Sequence, residues 1–210
     1  AQGAFDAEIA ALIDALARVQ RPVLLRVGYE FNGHWNGYAA EDFIGAWRRI
    51  AAAVRASGLP VALVWCAAFE HRPRGNPQPI PWDFWPGGDT VDWCGVDLFS
   101  PEELTTPHLD AFLARCAAER KPVLIGESSP RFVGADGGEA SWTGWFAPSL
   151  RVIARNPGIK GFCYINWDWA TWSAKLGQTW GDWGDARIER DALVRERWRA
   201  ALADPAFRHG

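Results

Sequence analysis

Short apolar or β-branched runs alternate along the chain with longer stretches whose apolar residues recur every three or four positions. This is the pattern of β/α units that build a parallel sheet. The runs begin near Val23, Val61, Val91, Val123 and Ile159, at separations of 38, 30, 32 and 36 residues. A closed barrel in which about 250 residues make eight units needs about 31 residues per unit, so the spacing fits one. Between the runs, Phe43, Trp47, Ile50 and Val54 fall at i, i+4, i+7 and i+11, and Leu109, Phe112, Leu113 and Cys116 at i, i+3, i+4 and i+7. Each set is one apolar stripe that packs a helix outside the sheet. Phe5, Ile9, Leu12, Ile13 and Leu16 make a further helix ahead of the first run, so the chain enters in the middle of a repeat.

Five runs leave two α/β architectures: a doubly wound open sheet, or a (β/α)8 TIM barrel lacking about three amino-terminal units, on the order of 100 residues. No Gly-x-Gly-x-x-Gly follows any run, which counts against a nucleotide-binding open sheet and favours the truncated barrel. With 210 residues, 49% hydrophobic and 22% charged, residues 1–210 are expected to form one domain around a single core. The absence of any Met, an initiator included, fits a fragment or a processed product.

Charge and composition narrow the function. A net charge of −3 with dispersed Lys and Arg offers no field for a phosphate backbone, so nucleic acid is not an expected partner. No run of eighteen apolar residues occurs, and Ala1-Gln2-Gly3 opens no signal pattern, so neither a membrane span nor a signal peptide is read. Cys66, Cys94 and Cys163 lie in apolar runs and Cys116 on an apolar helix face, positions of buried free thiols. Without a Cys-x-x-Cys pair or clustered His, no metal and no cofactor is expected.

Candidate chemistry stands where the runs end. Glu30 follows Val23-Leu24-Leu25-Arg26-Val27-Gly28-Tyr29, and Glu127 follows Val123-Leu124-Ile125-Gly126. In parallel barrels the site lies at the carboxyl ends of the strands, and 97 residues, about three units, put this pair on different strands facing one mouth. Two carboxylates across a sugar-sized cleft are what glycoside hydrolysis needs: one protonates the leaving oxygen, the other attacks the anomeric carbon or activates water. The alternative is a pair of surface or salt-bridged glutamates. Arg26 fits either case, holding a nucleophile ionised or forming a structural ion pair.

Phe31-Asn32-Gly33-His34-Trp35-Asn36-Gly37-Tyr38 adds amides for hydroxyls, glycines for close approach and rings whose faces suit the C–H side of a pyranose. Asn166-Trp167-Asp168-Trp169, after Tyr164, adds more at the last run's end. Trp35, Trp65, Trp167 and Trp169 are the candidate stacking platforms, and Asn32 and Asn166 the candidate hydroxyl ligands. The Pro-dense stretch His71 to Gly88, with Pro73, Trp82 and Trp85, and the stretch Asn166 to Asp185, with Trp167, Trp169, Trp172, Trp180 and Trp183, are expected to line the mouth.

Arg26-x-x-Tyr29-Glu30-Phe31-Asn32-Gly33-His34-Trp35, then Lys121-Pro122-Val123-Leu124-Ile125-Gly126-Glu127, resembles glycoside hydrolase family 26 of the β-mannanase type. The likeness continues through Trp85-Pro86-Gly87-Gly88-Asp89 and Val91-Asp92-Trp93-Cys94-Gly95-Val96, and ends in Gly161-Phe162 to Trp169. The resemblance implies a retaining (β/α)8 glycosidase of which strands four to eight are present, with Glu30 the acid/base on strand four and Glu127 the nucleophile on strand seven. It implies a polysaccharide or oligosaccharide substrate, β-1,4-mannan first, with β-glucan, β-1,3-xylan or a decorated polymer open. Export to an extracellular or periplasmic location follows from the same likeness.

Two positions depart from the family pattern. Tyr29 stands where His usually precedes the acid/base, so its substrate contacts differ. Asp97-Leu98-Phe99 replaces a Tyr that commonly orients the nucleophile. Leu98 and Phe99 are the best support for a rival reading, a carbohydrate-binding barrel without turnover. A third reading is a structural or interaction fragment whose two open sheet edges invite pairing.

Overall fold

In a computed structural model, residues 3–71, 75–177 and 180–207 are described; Ala1, Gln2, Pro73 and the side chain of Trp180 lie outside them. The elements run α1 (Asp6–Val19), β1 (Val23–Leu25), α2 (Ala40–Ser57), β2 (Val61–Ala68), a 3-10 turn (Trp82–Phe84), β3 (Trp93–Leu98), α3 (Pro107–Ala118) and β4 (Val123–Ser128). A broken helix follows as α4 (Glu139–Ser141), a π turn (Trp142–Phe146) and α5 (Ala147–Arg155), then β5 (Ile159–Phe162), α6 (Trp169–Leu176) and α7 (Ala192–Leu202).

All four strand pairings are parallel and the sheet order is β1-β2-β3-β4-β5. A doubly wound sheet reverses direction at a switch point; this one never does, and it forms the arc of a partial (β/α)8 barrel. Each predicted run becomes a strand. The third starts at Trp93 rather than Val91, because Val91 and Asp92 lead in from the turn while Asp92 exchanges bonds with Leu63.

The first run is cut short at Leu25. Gly28 and Glu30 both take positive φ, at 52°, which an extended strand cannot include. The Glu30 amide nevertheless donates to the Cys66 carbonyl at 2.8 Å, so the residue is fixed to the end of β2 in a conformation that few non-glycine residues adopt.

The core lies between the outer sheet face and the helices. Leu63, Trp65 and Ala67 of β2, Cys94, Val96 and Leu98 of β3, and Val123 and Ile125 of β4 meet Phe43, Trp47 and Val54 of α2 and Leu109, Phe112 and Cys116 of α3. Thr106 caps α3, its hydroxyl accepting from the His108 amide, and Pro107 opens the helix. The inner face is smaller and holds Val64, Cys66 and Leu124 with Trp93 against them. Trp47 is fully buried and its indole donates to Thr90 Oγ at 3.1 Å. Trp47→Ala is expected to lower unfolding free energy by about 3–5 kcal/mol, read from denaturant midpoints.

Cys66, Cys94 and Cys116 are buried free thiols as expected, but Cys163 is exposed. It stands one residue beyond β5, the last strand of the sheet, and among the described residues no strand pairs on its far side to cover it.

Candidate active site

The catalytic-looking residues converge on the carboxyl ends of β1 to β5. A cavity of about 640 Å³ opens there, lined by both Glu30 and Glu127. Tyr29 and Trp35 form part of its wall, each about half exposed, and Phe99, Trp169 and Trp183 form another. The Trp183 ring packs edge-on to Phe99 at 4.6 Å and tilted to Trp169 at 5.2 Å.

Glu30 is placed by a short loop whose residues hold each other. Asn36 donates to the carbonyls of Glu30 at 2.8 Å and Tyr29 at 3.2 Å. Trp35 Nε1 donates to Glu30 Oε2 at 3.0 Å. Gly33 makes that aim feasible: a Cβ there would sit 2.3 Å from the Trp35 ring. Burial, and next the charge of Glu127, push the Glu30 carboxyl up to about 7, against the opposing Trp35 bond. Glu30 thus keeps its proton to a higher pH than an ordinary glutamate does.

Glu127 is held differently. Arg26 Nη1 donates to Glu127 Oε1 at 2.9 Å, and Nη2 donates to Asp97 Oδ2 at 2.5 Å. Asp97 is fully buried and also accepts from the Cys66 thiol at 3.3 Å. Burial raises the Asp97 carboxyl and the adjacent guanidinium opposes that rise; Arg26 itself stays charged, its proton affinity raised by Cys66, Asp97 and Glu127 despite the cost of burial. Gly126 lets the guanidinium pass, since a Cβ there would lie 2.8 Å from Asp97 Oδ1 and 3.0 Å from the Arg26 guanidinium carbon. The side chain of Arg26 therefore joins both alternatives: it pairs with buried Asp97 and holds the Glu127 carboxyl in place.

Of the ten residues singled out from sequence, Tyr29, Glu30, Trp35, Glu127 and Trp169 line the cavity, and Arg26 supports it through Glu127. Trp65 is a correction. It is fully buried on the helix side of β2, stacked on Phe31 at 4.4 Å with Nε1 bonded to the Phe84 carbonyl, and no sugar reaches it. Asn32 is another: its amide donates to the Ala68 carbonyl at 2.7 Å and accepts from the Ala68 amide at 3.1 Å, tying the loop to β2 with both ends used. Asn166 likewise bonds Glu189 at 2.9 Å and the Ile188 amide at 2.8 Å, fixing the approach to α7. Trp167 lies outside the cavity, stacked on Trp172 at 5.4 Å. Trp82 and Trp85 pack on Trp65, each at 4.9 Å, so the ring-bearing part of the Pro-dense stretch closes the outer layer instead of lining the mouth.

Sequence reasoning missed Glu70, Glu103 and Arg131, which line the cavity, whereas His71 and Trp183 line it as expected of the two mouth stretches. Glu70 lies two residues past the end of β2, so the strand-end rule that found Glu30 also reaches it. Glu70 accepts from the His34 amide at 2.6 Å and faces His34 Nδ1 at 3.0 Å. Arg131 pairs with Asp182 at 2.7 Å while lying over the Trp183 ring.

No family model matches the chain. It is 33% identical to a β-1,3-xylanase from Alcaligenes sp, over 99% of this chain and 48% of that protein. It is also 33% identical to a β-1,3-xylanase from Vibrio sp, over 99% of this chain and 49% of that protein. Among solved structures, an endo-β-1,4-mannanase from Cellulomonas fimi, one of the glycoside hydrolase family 26 mannanases, matches with a TM-score of 0.68 at 20% identity, over 99% of this chain and 48% of that one. The chain thus spans about half the length of the curated relatives it matches, and its likeness to the mannanase is one of fold.

Proposed function

We propose that the chain, which carries five strands of a (β/α)8 barrel, is a member of glycoside hydrolase family 26 and acts in the retaining, endo-type hydrolysis of a β-linked polysaccharide, with β-1,3-xylan the substrate best supported. The observation that carries this reading is the pairing of two unlike carboxyls in one cavity. Glu30 is pushed up to about 7, and Glu127 is held by an arginine. That difference supports Glu30 as the acid and Glu127 as the nucleophile, because a general acid needs a proton at working pH and an attacking carboxylate is steadied by a fixed positive charge.

In the first step the Glu127 carboxylate attacks the anomeric carbon as Glu30 gives its proton to the departing glycosidic oxygen, leaving a glycosyl ester on Glu127. In the second, Glu30, now a carboxylate, takes a proton from a water that attacks the same carbon. The sugar leaves with its configuration retained and both carboxyls return to their starting forms. Tyr29, Trp35, Trp169 and Trp183 offer ring faces for the pyranoses on either side of the cleaved bond.

The substrate preference rests on the 33% identity to two proteins named β-1,3-xylanases, against 20% to the mannanase, so β-1,4-mannan has the weaker support. The absent strand-six Tyr, which favoured a binding protein without turnover, loses weight because Arg26 orients Glu127 in its place. The test is reducing-sugar release from β-1,3-xylan, β-1,4-mannan and β-glucan, with the first product anomer followed by proton NMR. Release from β-1,3-xylan with the β-anomer appearing first is expected. An initial α-anomer would remove the nucleophile role of Glu127, and release from mannan alone would replace the substrate.

A further inference from the structure

Two cavity residues outside the carboxylate pair are built as a unit. Glu103 lies in the turn after β3 and is buried, with both carboxylate oxygens engaged. Its Oε2 accepts from the amides of Phe99 and Ser100, and its Oε1 faces His71 Nε2 at 2.6 Å. His71, three residues past the end of β2, lines the cavity with little of its side chain exposed. With Oε2 taken up by two backbone N–H groups, Oε1 is placed to accept from Nε2–H, the tautomer in which Nδ1 bears a lone pair. That leaves Nδ1 as an acceptor, and no hydrogen bond to Nδ1 is found among the described residues. The pair is close enough to the reacting centre for the Glu103 charge to add to the proton affinity of Glu30.

We propose that His71 is a substrate-binding residue whose Nδ1 accepts a hydrogen bond from a sugar hydroxyl next to Glu30, and that Glu103 is its positioning residue. The proposal rests on the reading of the cavity as a polysaccharide site. Glu103 does two things for the ring: it fixes the tautomer, and it holds the imidazole plane against rotation. Carbohydrate hydroxyls are the fitting class of donor, since the remaining groups of this cavity are largely aromatic or acidic. The bland alternative is a purely structural pair that ties the β2 loop to the β3 turn, helped by the bridge between His71 and Pro77.

His71→Gln separates the two roles. A glutamine amide nitrogen reaches about where Nε2 stands, so it can keep the Glu103 bond, but it puts nothing at Nδ1. Glu103→Gln keeps the shape and offers an amide N–H to Nε2, which moves the ring proton to Nδ1 and turns an acceptor into a donor. Both variants are expected to keep the thermal midpoint, to weaken oligosaccharide binding about tenfold by tryptophan fluorescence, and to raise KM about tenfold with kcat nearly kept. The probes are β-1,3-xylo-oligosaccharides, with manno-oligosaccharides in parallel. Wild-type Kd and KM in His71→Gln, or a loss that merely tracks a lowered thermal midpoint, would overturn the proposal while leaving the hydrolase reading in place. A wild-type protein that binds no oligosaccharide of either series would overturn both.

Discussion

Glu127→Gln is expected to leave the protein folded and to lower kcat/KM on its polysaccharide by roughly four to six orders of magnitude, the range seen when a covalent nucleophile is removed. An amide oxygen cannot form the glycosyl ester, yet the side chain keeps its size and can still accept from Arg26, which now lies at 2.9 Å from the carboxylate. The stability change is the smaller effect, because Arg26 retains its buried partner Asp97. Reducing-sugar assays, with thermal melts alongside, give both numbers. A variant within tenfold of wild type would place the nucleophile elsewhere and leave Glu127 as one end of an ion pair.

What was legible in the sequence follows from what each pattern encodes. Parallel barrel strands are apolar on both faces, so runs such as Val61-Ala62-Leu63-Val64-Trp65 announce themselves, and the stripes through Phe43 and Leu109 fix the helices that cover them. The same property hid the place of Trp65. Because both faces of such a run are apolar, alternation does not say which side meets the helices and which the cavity, and Trp65 shares the buried side with Leu63 and Ala67.

The site was legible where strand ends carry charge and illegible where polar groups serve the backbone. Asn32 and Asn166 have the same donors and acceptors as a sugar ligand would need, and only the positions of Ala68 and Ile188 show that these are spent on the chain itself. Glu103 gave no signal at all. It lies five residues past Leu98, and its role comes from a turn that brings it back beneath the Phe99 and Ser100 amides. Arg26 is the instructive middle case. Sequence left it between holding the nucleophile and forming a structural ion pair, and the fold turns it to both Asp97 and Glu127, where the resembled family has a phenol and this chain has Asp97-Leu98-Phe99.

Glu30→Gln is expected to cost less than loss of the nucleophile, and the cost should depend on the leaving group. On polysaccharide, where the departing alcohol needs a proton, kcat/KM is expected to fall by about two to four orders of magnitude; on an aryl glycoside with an acidic phenol the first step should be nearly unaffected. The wild-type kcat/KM profile should bend downward above about pH 7, where Glu30 loses its proton, and that limb should vanish in the variant. Stability supplies an independent sign. The folded state holds the Glu30 proton up to about 7 while the unfolded chain releases it near the ordinary glutamate value of 4.5, so between those pH values the folded form binds more protons and stability falls as pH rises. Above pH 7 the native protein carries a partly buried carboxylate beside Glu127, at a cost of up to a few kcal/mol. Glu30→Gln removes that cost, so the variant should melt higher than wild type at pH 8 and at about the same temperature at pH 4. Equal melting temperatures at both pH values would mean that the Glu30 carboxyl titrates in the usual range, and the acid/base role would pass to another group.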